Sequence, residues 1–211
     1  MTPRLSRRLL RHHLPLGAAT LLCGFALYAT RPYPDVITRL SFASAWPALV
    51  LLAVTLVIGP WRKLTGRDTP TSQDLRRDIG IWAGITGLFH TGIGQCVHLR
   101  GRPWLYYIYE HWKVMPLRYD VFGFSNYAGL TAALILMVLL ATSNDASLRA
   151  LGMARWKAWQ RWNYGCFALA ALHSFGYLVG IESLKYAWIA LAAGCVLLAL
   201  GLQLAAWRRA P

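Results

Sequence analysis

The sequence predicts an all-α, polytopic membrane protein, a six-transmembrane-helix bundle with both termini in the cytoplasm. Three observations carry that expectation. Of 211 residues, 56% are apolar and only 14% charged, well below the roughly one quarter charged that a water-facing domain carries. Apolar stretches recur at about 14–30, 44–59, 79–99, 122–142, 162–181 and 186–207. Positive charge alternates between dense and sparse connections, as it does when cytoplasmic loops retain Lys and Arg.

The elements follow in order. The first stretch, Leu14 to about Thr30, is just long enough for the roughly 20 residues that cross a bilayer as helix. The second, 44–59, is short and begins near Pro47, so Trp46 and Trp61 would serve as its interfacial anchors. The remaining four reach spanning length. Between them lie a polar connection at 61–78, an outer segment at 100–121 rich in Trp and Tyr, and a second basic connection at 143–161. The outer segment reads as an aromatic headgroup belt with a short surface helix. Residues 1–42 form a basic segment, a first span and an outer loop; residues 43–211 form the remaining core.

Arg4, Arg7, Arg8, Arg11, Arg62, Lys63, Arg67, Arg76, Arg77, Arg149, Arg155, Lys157, Arg161, Arg208 and Arg209 fall on one side. Only Arg31, Arg39, Arg100, Arg102, Lys113, Arg118 and Lys185 fall on the other. This places the protein in the inner (plasma) membrane and assigns the net charge of +14 to topology and anionic headgroups. A nucleic-acid partner would need that charge gathered on one soluble face, and it is spread over several loops. A basic start before an apolar run also has the form of a cleavable secretory signal. Its small-x-small candidate, Gly24-Phe25-Ala26, lies inside the run, which favours a retained span.

No glycine-rich phosphate loop or strand pattern occupies the connections, so a nucleotide or flavin dehydrogenase domain would be another chain. The eight acidic residues lie in loops or at their edges, and none forms a catalytic pair with a serine or cysteine in a membrane site. No catalytic residue is assigned. Cys23, Cys96, Cys166 and Cys195 read as packing residues, with no CxxC or CxxCH.

Ionisable side chains at membrane depth are costly and point to function. His90 lies about 13 residues beyond Arg77, or about 20 Å deep, and His173 about 12 beyond Arg161, or about 18 Å. Both helices start on the same side, so the two imidazoles reach one level. That is the arrangement a six-coordinate haem b needs, one axial ligand from each helix. Gly84, Gly87, Gly94, Ala170, Gly176 and Gly180 nearby leave space for a flat ring, although small residues also serve ordinary helix packing. His98 is expected on the same helix as His90, about 12 Å further out. With Glu110 and His111 it forms a weaker candidate for a metal or acceptor site. His12 and His13 read as a basic anchor.

Three stretches resemble the ferric reductase-like transmembrane family, which includes ferric reductases, NADPH oxidases and haem subunits of bacterial methionine sulfoxide reductase systems. They are Arg76-Arg77-Asp78-Ile79-Gly80-Ile81-Trp82 before His90, Thr142-Ser143-Asn144-Asp145 followed by Leu148-Arg149-Ala150-Leu151-Gly152, and Trp156-Lys157-Ala158-Trp159-Gln160-Arg161-Trp162-Asn163-Tyr164 before His173. The last is similar to the family's W-x-x-L-H-R-L-x-Y pattern, and the resemblance covers about residues 43–207. It implies that His90 and His173 ligate the outer haem. Members with two haems carry another histidine about 13 residues earlier on each helix, where this chain has Arg77 and Gln160. The resemblance therefore implies one haem b per chain. It also implies a vacated inner pocket near Arg76, Arg77, Gln160 and Trp156 that would take FMN, FAD or a quinone.

The expected function is a haem b electron-transfer subunit, carrying electrons from a cytoplasmic-side flavin or quinol donor to an outer-side acceptor. Its partners would be the bilayer and a separate donor or acceptor protein. A haem-free scaffold or assembly subunit on the same fold is the alternative from another class. Proton or cation conduction ranks last, because only two histidines lie deep and they share one level.

Overall fold

The computed structural model describes residues 3–66, 71–99, 101–111, 114–181 and 185–209. Arg67, Arg100, Trp112 and Lys113, which entered the charge and aromatic readings, lie outside the described residues. Helix α1 (Pro3–Arg8) passes through a π turn at Leu9–His13 into α2 (Leu14–Thr30). It is followed by α3 (Val36–Thr65), α4 (Thr71–Gly94), a 3₁₀ turn at Pro103–Tyr106, α5 (Val121–Ala141), α6 (Asp145–Gln160), α7 (Trp162–Phe175) with a π turn at Gly176–Ile181, and α8 (Tyr186–Arg208). Among the described residues the only β pairing is an isolated bridge between Ile108 and Leu117.

Five helical runs are long and apolar enough to cross a bilayer: Leu5–Thr30, Val36–Thr65, Val121–Ala141, Asp145–Ile181 and Tyr186–Arg208. The chain is thus a multi-pass membrane protein. The sixth, α4, is less apolar because Asp74, Arg76, Arg77 and Asp78 occupy its first turns. It is an interior helix packed on α3 and α5, with Ala83 and Asp78 fully buried. The core joins Leu49, Leu52 and Leu56 of α3 to Ala83, Leu136 and Phe167. Large side chains of α2 face outward, Leu21, Leu22 and Phe25 each being more than two thirds exposed, as lipid-facing positions require.

Several expectations change. The second span is a 30-residue helix, Val36–Thr65, so it needs no borrowed anchors. Pro47 and Pro60 lie inside it. A proline removes the donor to the carbonyl four residues earlier, and for Pro60 that carbonyl, on Leu56, instead accepts from Gln203 Nε2 at 3.0 Å. Trp46 is buried against Trp188 with ring centres 4.5 Å apart, a core residue instead of an interfacial anchor. Residues 145–160 are helical, broken only at Gly152, whose φ of 71° interrupts the helix in the left-handed region.

The outer segment is more than a surface belt. Leu105 and Tyr106 of the 3₁₀ turn are buried, Tyr106 to 1% exposure, while Trp104 and Tyr119 remain outside. The Tyr106 hydroxyl donates to the Gly94 carbonyl at 2.9 Å and accepts the His98 amide at 2.8 Å. It thereby closes the C-terminus of α4, whose last carbonyls lack helical partners. Burial pushes the Tyr106 phenol pKa up.

His12 and His13 do more than add basic charge. In a π turn residues five apart align, which brings Arg8, His12 and His13 onto Asp78. Arg8 donates to both carboxylate oxygens. His12 Nδ1 lies 2.8 Å from Oδ2 and His13 Nε2 3.2 Å from Oδ1. The fully buried carboxylate thus ties the amino-terminal helix to the start of α4.

Candidate functional site

The two histidines meet. His90 projects from α4 and His173 from α7, and their ring centres are 6.1 Å apart with planes inclined at 69°. Each ring is oriented by its Nδ1, which donates to a backbone carbonyl: His90 to Ser41 of α3 at 2.9 Å, His173 to Ser125 of α5 at 2.8 Å. Four helices therefore fix the pair. Donation by Nδ1 makes Nε2 the lone-pair nitrogen and raises ring basicity, as it does for metal-binding histidines. Among the described residues neither Nε2 has a hydrogen-bond partner.

Close packing holds the rings in place. A Cβ on Gly129 would lie 2.6 Å from His173 Nδ1, and one on Gly176 would lie 1.9 Å from the Ser125 hydroxyl. Both glycines let α5 and the α7 segment approach closely enough for His173 to reach the Ser125 carbonyl. Sequence reasoning missed Ser41, Ser125 and Gly129. Backbone acceptors carry no side-chain signal, and Gly129 lies on a helix with no histidine. The small residues around the histidines divide: Gly87, Gly94 and Ala170 line a cavity with both rings. Gly84, Gly176 and Gly180 instead face Leu140, Ser125 and Val121, serving helix contact.

The cavity is graded along its length. Its inner end is apolar, with Leu49, Leu52, Leu136 and Cys166; its outer end carries Tyr33, Thr38, Gln95, His98, Asn126 and Tyr177. The ring centres 6.1 Å apart, the two Nε2 atoms without a hydrogen-bond partner among the described residues and a cavity apolar at one end and polar at the other fit the haem expected from the sequence, which His90 and His173 would hold.

His98 differs from expectation in placement. Helix α4 ends at Gly94, and His98 lies in the following turn, stacked on Tyr177 at 6.0 Å and 25°. Glu110 is ion-paired with Arg102. His98, Glu110 and His111 form no metal-binding group among the described residues.

Three of the four inner candidates, Arg77, Trp156 and Gln160, bond to the segment joining α5 to the start of α6. Arg77 NH1 lies 2.6 Å from Asp145 at the start of α6. Trp156 Nε1 donates to the Thr142 carbonyl at 2.8 Å, and Gln160 Nε2 to the Thr142 hydroxyl at 3.2 Å. Arg77 Nε is buried without a hydrogen-bond partner among the described residues. Arg76 lies against Gly59 of α3. Near the outer face, Asp120 caps α5 by accepting from Gly123 N at 2.7 Å. The Arg118 guanidinium bonded to it holds its carboxyl below the usual carboxylate range.

No model of a known protein family matches the chain, and no solved structure matches it. Curated proteins do. The protein-methionine-sulfoxide reductase heme-binding subunit MsrQ of Bordetella pertussis is 34% identical over 178 residues, covering 83% of this chain and 76% of the relative. Proteins of that name from Azospira oryzae and Deinococcus radiodurans are each 32% identical over 126 residues, covering 59% and 60% of this chain. The chain spans about half the length of these two relatives, 48% and 56% respectively.

Proposed function

Because this chain belongs to the family of MsrQ, the heme-binding subunit of protein-methionine-sulfoxide reductase, we propose that it is a haem b electron-transfer subunit of the inner membrane. The observation that carries this reading is the facing pair of imidazoles. His90 and His173 would hold one iron through Nε2, each ring fixed by its Nδ1 bond to Ser41 or Ser125. When bound, a haem would supply a reversible one-electron centre, its potential tuned by the two histidines that would hold it and by burial. The chain's own contribution is to orient both lone pairs through the two carbonyl acceptors and to exclude water with the apolar inner wall.

The donor side is assigned to Arg77, Trp156 and Gln160, with Arg76 on the neighbouring face of α4. These side chains are N–H donors, suited to the carbonyl or phosphate oxygens of a quinone or flavin. Both termini and the connections rich in Lys and Arg lie in the cytoplasm, and the outer segment faces the acceptor, a separate protein. No observation favours a haem-free scaffold.

The test is an oxidised-minus-reduced absorption spectrum with a pyridine haemochrome assay on detergent-purified wild type, His90→Ala and His173→Ala. One haem b per chain, lost in both variants, is expected. A colourless wild type, despite haem supplied during expression, would overturn the reading.

A further inference from the structure

The second half of α6, past the break at Gly152, carries cations that no described acid neutralises. Arg155, Lys157 and Arg161 are exposed, and none of them forms an ion pair with a described acid. Asp145, at the start of α6, is paired with Arg77. Large side chains alternate with the cations: Met153, Trp159, Trp162 and Tyr164 are between 45 and 58% exposed. The residues of this stretch that turn inward, Trp156 and Gln160, bond to Thr142.

The depth of these side chains follows from helix length. Asp145–Ile181 is a helical run of 37 residues, longer than a bilayer needs. Counted inward from Ile181, a hydrocarbon core of about 30 Å takes about 20 residues and ends near Trp162. The headgroup layer beyond it, roughly 5–8 Å thick on each side, takes in about 157–161. Arg155 lies about 3 Å further along the axis, within reach of a long side chain that extends back along the helix. The cations therefore stand at the level of lipid phosphates, and Trp162 and Trp159 at the boundary that indole rings favour. A soluble acidic protein would be met better by cations standing clear of the membrane.

We infer that Arg155, Lys157 and Arg161 form a docking face for the phosphates of anionic phospholipids, with Trp159 and Trp162 seated at the edge of the acyl chains. The inference rests on the membrane spans and not on the haem reading; in the orientation proposed above, the leaflet is the inner one. Lipid phosphate gains charge-assisted hydrogen bonds from the guanidinium and ammonium groups, and a basic helix carrying tryptophan suits the interface. The consequence reaches the donor side. Trp156 and Gln160 share the same turns, so headgroups on the exposed faces and Thr142 on the inner face hold that segment from two directions. An anionic leaflet thereby orders the helix that presents them.

The experiment follows amide hydrogen exchange of the peptides covering residues 153–164 in the full chain, in nanodiscs of phosphatidylcholine alone or with phosphatidylglycerol. In wild type, phosphatidylglycerol should slow exchange there by about 10-fold or more, since each basic side chain near an anionic surface contributes about fivefold. Arg155→Gln, Lys157→Gln and Arg161→Gln combined should remove the difference between the two lipids. Arg155→Lys, Lys157→Arg and Arg161→Lys combined should keep it, showing that charge is read. Equal exchange of wild type in the two lipids overturns the inference and leaves the face to an acidic soluble partner. A difference that persists in the glutamine variant also overturns it, because the lipid then acts elsewhere on the chain. Slowing by inorganic phosphate in phosphatidylcholine alone would overturn the assignment to a lipid.

Discussion

The two levels of the bundle, 13 residues apart along α4 and from the end of α6 into α7, do different things with their polar groups. At the outer level His90 and His173 spend one nitrogen on a backbone carbonyl and leave the other directed at no protein atom among the described residues. At the inner level Arg77 and Gln160 are bound to Asp145 and Thr142 across the junction of α5 and α6. An unused lone pair in a cavity is a ligand site, because an unsatisfied polar group there costs energy until something binds it. A guanidinium and an amide nitrogen offer only donors. In the proposed function the outer level would hold the metal, and the inner level, which joins helices, would present N–H groups to an oxygen-bearing ligand.

The largest expected effect tests the structural half of that contrast. Asp78, one residue from Arg77, is fully buried between Arg8, His12 and His13. Asp78→Asn removes the anion and leaves Arg8 with a buried, uncompensated charge, at a cost of about 3 kcal/mol. The apparent melting temperature should fall by about 5–10 °C, with the haem absorption spectrum of the remaining folded protein unchanged. Loss of the haem spectrum without thermal destabilisation would reverse the roles of the two levels.

Gly129→Ala acts on the outer level with the opposite signature. The added methyl would lie 2.6 Å from His173 Nδ1, so the ring must turn and weaken its bond to Ser125. Loss of such an orienting contact typically lowers affinity for the metal group 10- to 100-fold. Haem titration should show that drop with little change in the melting temperature of the apo-protein. Affinity equal to wild type would mean that the bond to Ser125 does not position the ligand.

The contrast was only half legible in the sequence. Depth placed His90 and His173 at one level because helix rise is uniform and Arg77 and Arg161 mark the start of each helix. The Nδ1 acceptors were invisible, since any residue supplies a carbonyl and only the packing of α3 and α5 chooses Ser41 and Ser125. Long helices read well where apolar runs were continuous. Only 44–59 of Val36–Thr65 is a continuous apolar stretch in the sequence, yet in the bundle Gln203 satisfies the carbonyl that Pro60 releases. The π turn that gathers Arg8, His12 and His13 onto Asp78 depends on tertiary contact and leaves no periodic trace. His98 was misplaced by extending α4 past Gly94, where Tyr106, from a segment read as surface, supplies the stop.

A smaller effect separates donor docking from haem binding at the inner level. Arg77 is 6% and Asp145 44% exposed on their side chains, so the pair is partly solvated and Arg77→Ala should cost about 1.5 kcal/mol, the lower range for a hydrogen bond to a charged group. Haem content should be unchanged. Together, Arg77→Ala and Gln160→Ala should slow haem reduction by added quinol or reduced flavin in a stopped-flow measurement. An unchanged rate with every donor would remove the inner junction from the electron path.

The smallest effect lies outside both levels and calibrates them. Asp120 caps α5, and Arg118 lowers its carboxyl pKa in the folded protein. A depressed folded value means that the unfolded chain takes up the proton first as pH falls. The stabilisation is therefore full above the unfolded pKa of about 3.9 and is lost as pH drops through the lower folded value. Near neutral pH, Asp120→Ala should cost about 1 kcal/mol, as removal of a helix cap does. The melting curves of wild type and variant should approach each other below about pH 4, while the haem affinity of the two stays equal at neutral pH. A gap that persists in acid would mean that Asp120 stabilises α5 as a neutral hydrogen-bond acceptor, with no contribution from its charge. A variant that also loses haem would show that the start of α5 carries strain as far as Ser125 and His173.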